Sequence, residues 1–202
     1  MINYKEFLDY HEKNLVVHEN PYQHLHLNDF LPSDFINSVA KDFIIPRNLK
    51  KNDAMFQKTK QAFNILEEFP KNIKELVHYL HSREFINILE RKFKLTGLVS
   101  DPLMQGGGMH QSGTGGYLKI HSDFIYLRKR KLKRRINLLL YLNDTWNKNW
   151  NGALELWDQK MENNFLKIYP QINNCVMFRT DLESNHGFPD PLECPSDIFR
   201  KS

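Results

Sequence analysis

The feature that most constrains the fold is a series of short β-type runs in the second half of the chain. They read GYLKIHSDF, INLLLYLN, ALELWD, FLKIYP and CVMFRT, and polar turn-type stretches such as NDTWNKNWNG and DQKMENN separate them. Several short strands at this spacing are typical of a sandwich or barrel of antiparallel strands. The second half of the chain is therefore predicted to be a β-sandwich.

The first half has helical periodicity instead. Pro32 and Ser33 open the run LPSDFINSVAKDF, and Ser82 is in the N-cap position of SREFINILERKFKL. Between them, FPKNIKELVHYL has apolar residues at helical spacing, whereas HLHL alternates as a strand does. Residues 46–62 are polar and are predicted to be a loop. The expected fold class is α+β, a helical layer packed on the β-sandwich.

Length and composition restrict the class of protein. A chain of 202 residues with 41% hydrophobic and 26% charged residues fits one globular domain with a real core. Its cysteines, Cys175 and Cys194, form neither a disulfide framework nor a zinc motif, which favours a reducing, cytoplasmic setting. The charged N-terminus has no signal-peptide pattern, and no apolar run approaches the roughly 20 residues of a membrane span. We expect a soluble protein without a membrane partner.

The stretch GGYLKIHSDF contains the first candidate site residues. Side chains two positions apart on a strand point to the same face, so His121 and Asp123 are expected to lie side by side. An imidazole and a carboxylate so placed either bind a metal or belong to an ordinary polar face. The pair by itself leaves both interpretations open.

A distant histidine favours the metal. His186 follows the run CVMFRT, in the polar segment SNHGFPDP. Two histidines and one carboxylate can occupy one face of an octahedral iron and leave three positions open for other ligands. The sequence therefore predicts a metal site made of His121, Asp123 and His186.

Residues near the C-terminal end of the sequence predict an anion anchor. Arg200 and Ser202 are two apart in FRKS, and an arginine followed by a hydroxyl can grip a carboxylate. Tyr141 shares a strand face with Asn137 and Leu139 and could offer its hydroxyl to the same group.

The chain contains, in order, the motifs H-x-D, LYLN before a tryptophan, GALEL, VMF, His-Gly and Arg-x-Ser. This ordered set resembles the 2-oxoglutarate and Fe(II)-dependent oxygenases of the prolyl-4-hydroxylase-like group. The resemblance covers roughly residues 20–202. It implies a double-stranded β-helix, or jelly roll, in residues 98–202, with residues 1–97 as a mainly helical support layer within the same single domain.

The resemblance also implies a chemistry. Iron would be held by His121, Asp123 and His186, and 2-oxoglutarate would chelate it while its C5-carboxylate meets Arg200, Ser202 and Tyr141. With O2, and with ascorbate as an optional reductant, such an enzyme hydroxylates a C–H bond and releases succinate and CO2. The substrate would be a prolyl or other peptidyl side chain, or else a small molecule.

The chain departs from the family pattern at three places. Gln111 stands where prolyl hydroxylases often have a tyrosine. The segment between His186 and Arg200 is longer than in many relatives. Relatives also continue with an apolar strand after this arginine, so we expect a jelly-roll core that is short of its last strand and an Arg200 that is loosely held.

Two further segments are expected near the site. The glycines between positions 106 and 116 predict a mobile loop over it. The run RKRKLKRR, residues 128–135, holds seven basic residues in eight. It is either a solvated loop or a surface at the site mouth that attracts an acidic substrate; nucleic acid is the less favoured partner, because the net charge is only +4.

Two other functions remain open at this point. One is a catalytically silent jelly-roll binding module that kept the fold. The other is a cupin-like metal enzyme that does not use 2-oxoglutarate, and Arg200 is the residue that separates it from the oxygenase.

Overall fold

The computed structural model describes residues 4–46 and 48–202, apart from the side chains of Asn52 and Lys129. The α-helices of this part are α1 (Tyr4–Asn14), α2 (Ser33–Lys41), α3 (Lys71–Leu80) and α4 (Arg83–Phe93). The predicted N-cap is present, because Ser82 Oγ accepts a hydrogen bond from the Phe85 amide at 3.3 Å. None of the helices in these residues is long and apolar enough to cross a membrane.

Most of the strands follow the helices along the chain. The strands are β1 (His24–Leu27), β2 (Asn52–Ala54), β3 (Gln57–Phe63), β4 (Met109–Ser112), β5 (Tyr117–His121), β6 (Tyr126–Leu127), β7 (Leu132–Lys133), β8 (Ile136–Leu140), β9 (Leu154–Trp157), β10 (Asn164–Ile168), β11 (Cys175–Arg179), β12 (His186–Phe188) and β13 (Arg200–Lys201). The five runs that predicted strands are β5, β8, β9, β10 and β11, and β1 is the predicted HLHL strand.

The strands form two antiparallel sheets and a small hairpin. One sheet has the order β1-β11-β8, and the other has the order β10-β9-β12-β5-β3-β4-β13 with β2 paired to β3. Strands β6 and β7 pair only with each other. This arrangement, with helices beside it, is the expected α+β jelly roll.

Because side chains alternate along a strand, β11 contributes residues to two separate hydrophobic cores. In β11, Cys175 and Met177 pack with the helices, whereas Val176 and Phe178 pack inside the jelly roll. In β8, Leu138 and Leu140 likewise face the helical core. A strand that is buried on both faces has a continuous apolar run rather than an alternating one.

The prediction of a loop over residues 46–62 is wrong. The segment contains β2 and β3, and β3 pairs with β4 on one side and β5 on the other. Its sequence, QKTKQAF, has buried residues only at its ends, Gln57 and Phe63, so it lacks an alternating apolar pattern. Backbone pairing on both sides forms this strand. Arg47, within the same segment, lies outside the described residues.

The two other loop predictions need partial correction. The glycine cluster contains β4, and Gly108 permits this because a Cβ there would lie 2.3 Å from the Phe63 carbonyl oxygen. The basic run is not a plain loop, since it forms a short helical turn (Arg128–Arg130) and strand β7.

His11 in α1 provides a test of the helical core through pH. It is fully buried between the Tyr79 hydroxyl at 2.6 Å and the Phe30 carbonyl at 2.8 Å. Burial lowers its pKa from 6.5 to about 4, against the opposing effect of the Phe30 carbonyl. Between these values the unfolded chain binds the proton and the folded chain does not, so the free energy of unfolding falls as pH is lowered.

We expect His11 to account for a loss of roughly 3 kcal/mol between pH 6.5 and pH 4. Denaturant unfolding across this range, compared with His11→Gln, measures it. The variant should be less stable at pH 7 and less sensitive to acid. Parallel pH profiles for the two proteins would contradict the assignment.

Candidate active site

The structure brings His121, Asp123 and His186 together. His121 ends β5 and lies opposite His186, the first residue of β12, in the antiparallel pairing. The distance from Asp123 Oδ1 to His121 Nε2 is 3.7 Å, and the distance from Asp123 Oδ2 to His186 Nε2 is 3.9 Å. One ligand atom from each residue lies within 4.8 Å of the others, which suits a single metal ion.

Backbone carbonyls orient both imidazoles. The Nδ1 atom of His121 lies 2.8 Å from the Lys119 carbonyl oxygen, and that of His186 lies 2.9 Å from the Ser184 carbonyl oxygen. Each Nδ1 therefore carries the proton and donates, which leaves both Nε2 lone pairs directed at the space between the rings. Such outer hydrogen bonds fix the tautomer and the ring orientation of metal-binding histidines.

Asp123 reaches the site by a different route from the one predicted. Strand β5 ends at His121, so the alternation of a strand does not place the carboxylate. Asn137 Nδ2 donates to Asp123 Oδ2 at 2.8 Å, and Arg134 Nη1 forms an ion pair with the same oxygen at 3.2 Å. These contacts hold the carboxylate beside the imidazoles.

The pKa shifts of Asp123 and His186 suit metal binding, whereas that of His121 reflects the nearby Asp123 carboxylate. Burial alone would raise the pKa of Asp123, but His121, His186 and Arg134 together hold it well below its usual range. Burial also lowers the pKa of His186 to about 4, so its imidazole is neutral near pH 7. The pKa of His121 is raised despite burial, because Asp123 and the Lys119 carbonyl favour its protonated form.

Gly187 allows β12 to approach β5. A Cβ at this position would lie 2.6 Å from the Leu118 carbonyl oxygen and 2.8 Å from that of Lys119. A larger residue would therefore separate the two strands that present the histidines. The glycine of the His-Gly motif is therefore required for the strand pairing that presents the two histidines.

Arg200 is the centre of the second half of the site. It is buried in β13, its Nε donates to the Gly152 carbonyl at 2.8 Å, and its Nη2 donates to the Tyr141 hydroxyl at 2.9 Å. The guanidinium also lies against the rings of Tyr141 and Phe188. The expectation of a loosely held arginine is wrong, because these contacts fix it, and its remaining N–H groups stay available for a carboxylate.

The other two predicted contacts differ in their surroundings. Ser202 follows β13, where its backbone pairs with His110, and its hydroxyl has no hydrogen bond to the part of the chain that the structure describes. Gln111 donates through Nε2 to Gln61 Oε1 at 2.8 Å. Where prolyl hydroxylases often have a tyrosine hydroxyl, this chain therefore has the amide of Gln111, which is already hydrogen-bonded to Gln61.

One cavity of about 930 Å³ connects the two halves of the site. Its polar wall contains His121, Asp123, His186, Arg200, Ser202, Asn137, Arg134, His110 and Lys60. Sequence reasoning did not single out the last four of these as site residues, although Arg134 belongs to the basic run that was expected near the site mouth. Asn137 was named in the sequence only because it shares a strand face with Tyr141. No sequence pattern indicated Lys60, because it lies in the strand that was predicted to be a loop.

The donor set fits iron and 2-oxoglutarate. Two imidazoles and one carboxylate, with no fourth His, Cys, Asp or Glu in their cluster among the described residues, correspond to the facial triad of non-haem iron. A buried arginine with spare donors in the same cavity fits a dicarboxylate that reaches from the metal to β13.

The Asn137 contact generates a prediction. Asn137→Ala should weaken Mn(II) binding by about 10-fold or more, because loss of an outer hydrogen bond frees the carboxylate ligand. Isothermal titration calorimetry with Mn(II) measures the affinity, and the exposed Asn28 provides the control variant Asn28→Ala. Equal Mn(II) affinities in the two variants would show that Asn137 does not position Asp123.

Comparisons with known proteins agree with this geometry. Residues 107–201 match the model of the 2OG-Fe(II) oxygenase superfamily. No match was found among curated proteins. Three similar solved structures are a Pseudomonas putida prolyl-4-hydroxylase, a Trichoplax adhaerens prolyl hydroxylase in complex with a hypoxia inducible factor peptide fragment, and prolyl 4-hydroxylases from Phytophthora capsici.

The structural matches cover nearly all of this chain. Their TM-scores are 0.62, 0.56 and 0.55, at sequence identities of 15%, 19% and 17%, and each covers 98% of this chain. The shares of the three matched chains are 94%, 85% and 59% in the same order. At these identities the likeness establishes the fold, and the superfamily match adds the chemistry. Residues 107–201 therefore match a superfamily that uses Fe(II), 2-oxoglutarate and O2, and the chain has the same fold as the prolyl hydroxylases to which it is similar.

Proposed function

We propose that this protein hydroxylates a C–H bond of a prolyl or other peptidyl side chain, with release of succinate and CO2. The observation that carries the proposal is the single cavity that holds the three metal-binding side chains and the buried Arg200. A cupin-like metal enzyme that does not use 2-oxoglutarate has no need of this arginine. A silent binding module has no need of the two oriented imidazoles.

Each site residue has a role in this proposal. His121, Asp123 and His186 hold Fe(II), and Arg200 binds the distal carboxylate of 2-oxoglutarate through its unused N–H groups. Tyr141 accepts from Arg200 and thereby fixes the guanidinium, and Ser202 offers a further hydroxyl donor. Bound iron supplies the redox chemistry that couples decarboxylation of 2-oxoglutarate to insertion of one oxygen atom into the substrate.

Arg134 closes one side of the site. Besides its ion pair with Asp123, it donates to the Gln105 carbonyl at 2.7 Å, and its guanidinium lies 4.0 Å from the centre of the Phe124 ring. It thus joins the glycine-containing segment to the metal-binding segment. A closed wall of this kind limits the access of water to the reacting centre.

The surface around the opening suits a peptide. Phe56 and Phe124 line the cavity and are 51% and 47% exposed. Tyr126, which begins the neighbouring β6–β7 hairpin, is 61% exposed. Exposed aromatic side chains of this kind contribute strongly to recognition of extended chains. The Trichoplax adhaerens structure, with a peptide bound to a similar fold, supports a peptidyl substrate here as well.

The hairpin adds positive charge to this surface. Arg130 and Arg134 are paired with Asp101 and Asp123, whereas Arg128, Lys131 and Lys133 are exposed and form no ion pair with a described residue. These three exposed residues are called the basic tip below. Its charge favours a peptide with acidic residues near the hydroxylated position.

Hydroxylation of proline-containing peptides tests the proposed function. A peptide library incubated with Fe(II), 2-oxoglutarate and O2 should yield products heavier by one oxygen atom, with an equal amount of succinate. Arg200→Ala should raise the 2-oxoglutarate concentration needed for turnover by about 100-fold, because a charged bidentate contact is lost. Oxidation that does not depend on 2-oxoglutarate would favour the cupin-like alternative, and no oxidation of any peptide would argue against a peptidyl substrate.

The basic tip can be tested by neutralisation. The triple variant Arg128→Gln, Lys131→Gln and Lys133→Gln should bind an acidic substrate peptide about 10-fold more weakly at low salt, and the difference should shrink at high salt. The triple variant Lys5→Gln, Lys13→Gln and Lys160→Gln removes the same charge from exposed positions outside the cavity lining. Fluorescence anisotropy with a labelled peptide measures both. An equal salt dependence in the two triple variants would exclude the tip from substrate binding.

A further inference from the structure

Lys60 is a cation inside the active-site cavity without an anionic partner. It lies in β3 and lines the cavity, and its ammonium group forms no hydrogen bond or ion pair with any residue that the structure describes. Lys60 is partly buried, and its charge disfavours protonation of both His110 and His121, so the ammonium group lies near these site residues.

The sheet places Lys60 between the metal-binding strand and Arg200. Strand β3 lies between β5, which bears His121, and β4, which pairs with β13. The register pairs Ala62 with His110 and Ser112 with Arg200. Residues that are paired across antiparallel strands share a face, and so do residues two apart on one strand. Lys60 therefore lies on the same face of this sheet as Ala62, His110, Ser112 and Arg200. A ligand that extends from the metal to Arg200 passes over β3 and β4.

The charges of the cavity leave Lys60 unneutralised. Its lining has five permanent cations, Lys60, Lys133, Arg134, Arg135 and Arg200, but only two carboxylates among the described residues, Asp101 and Asp123, and Asp101 is already paired with Arg130. Arg134 is paired with Asp123, and Arg200 is bonded to two neutral oxygens. A dianion in the cavity could therefore be shared by two cations, Lys60 and Arg200.

Partial burial without an ion-pair partner among the described residues makes the charge of Lys60 unfavourable for the folded protein. Desolvation lowers its pKa, and Arg200 and Arg134 act in the same direction, while Asp123 opposes them. A polar group held in such a state typically serves a ligand, because stability alone would favour an apolar side chain of similar length.

We propose that Lys60 is a second cosubstrate-binding residue, whose ammonium group binds the 2-oxoglutarate dianion together with Arg200. This inference rests on the proposed use of 2-oxoglutarate at this site. It adds a contact from a strand that precedes the superfamily match, since that match begins at residue 107. It also assigns to β3 a part in selecting a dicarboxylate over a monocarboxylate 2-oxoacid.

The experiment compares 2-oxoglutarate binding in Lys60→Met and in two further variants. Lys60→Met keeps the length of the side chain and removes the charge, and Lys60→Arg restores a charge. Lys58→Met is the matched control, because Lys58 is exposed on the same strand and its removal changes the net charge equally. Calorimetric titration of 2-oxoglutarate into the Mn(II)-loaded proteins gives affinities without turnover, and thermal unfolding monitors the fold.

We expect Lys60→Met to bind 2-oxoglutarate about 10- to 100-fold more weakly than the wild type, as is typical when a charge-assisted hydrogen bond is lost. Lys60→Arg should recover part of the affinity, and Lys58→Met should bind normally. The unfolding temperature of Lys60→Met should be unchanged or higher, because a buried unpaired charge has been removed. Affinity for pyruvate should change less than affinity for 2-oxoglutarate.

Two results would overturn the inference. If Lys60→Met binds 2-oxoglutarate as tightly as Lys58→Met does, Lys60 is not a cosubstrate residue. The same conclusion holds if only binding of an acidic peptide is weakened, since the ammonium group would then serve the substrate. Failure of the wild-type protein itself to bind 2-oxoglutarate would instead refute the proposed function, so the two failures are distinguishable.

Discussion

The active site depends on the antiparallel pairing of β12 with β5. This pairing sets His186 directly opposite His121, although the two residues are 65 positions apart in sequence. Gly187 lets the strands approach, and the Lys119 and Ser184 carbonyls turn both rings so that their Nε2 atoms face one point. The Asp123 carboxylate completes the site once it is held beside the two imidazole rings. Asn137, on a strand of the other sheet, does this and so ties the two sheets together at the metal site.

The second constraint is an excess of positive charge in an enclosed space. Two of the permanent cations in the cavity, Arg134 and Arg200, are held by named partners, and both have their planar guanidinium groups against aromatic rings. Such contacts fix direction as well as charge. The cavity is therefore prepared for an anionic ligand before that ligand arrives, and little ordering of side chains remains when it binds.

The sequence was sufficient for the parts of the fold whose apolar patterns are regular. Helices α2, α3 and α4 have apolar faces at helical spacing, and β8 and β11 are mostly apolar because each contributes side chains to both hydrophobic cores. The five main strands and the β-sandwich followed from these patterns, and the family resemblance specified the sandwich as a jelly roll. The same alternation placed Tyr141 on the inner face, where it meets Arg200.

The rest could not be read from the sequence, because it depends on partners distant along the chain. Strand β3 has a polar sequence and exists through pairing with β4 and β5, so Lys60 gave no signal. Asp123 was assigned to a strand face, yet it lies after the strand and is held by Asn137 and Arg134. Arg200 is close to the end of the sequence, where exposure is common, but Gly152 and Tyr141 secure it.

The metal ligands and Arg200 line one cavity, in which we propose that iron and 2-oxoglutarate bind together. Addition of Fe(II) and 2-oxoglutarate without oxygen tests it most directly, since chelation of the iron by the 2-oxoacid produces a weak visible charge-transfer band. The band should form with the wild-type protein and disappear in His121→Ala. A folded wild-type protein that gives no band, or a band of equal strength in His121→Ala, would contradict the account.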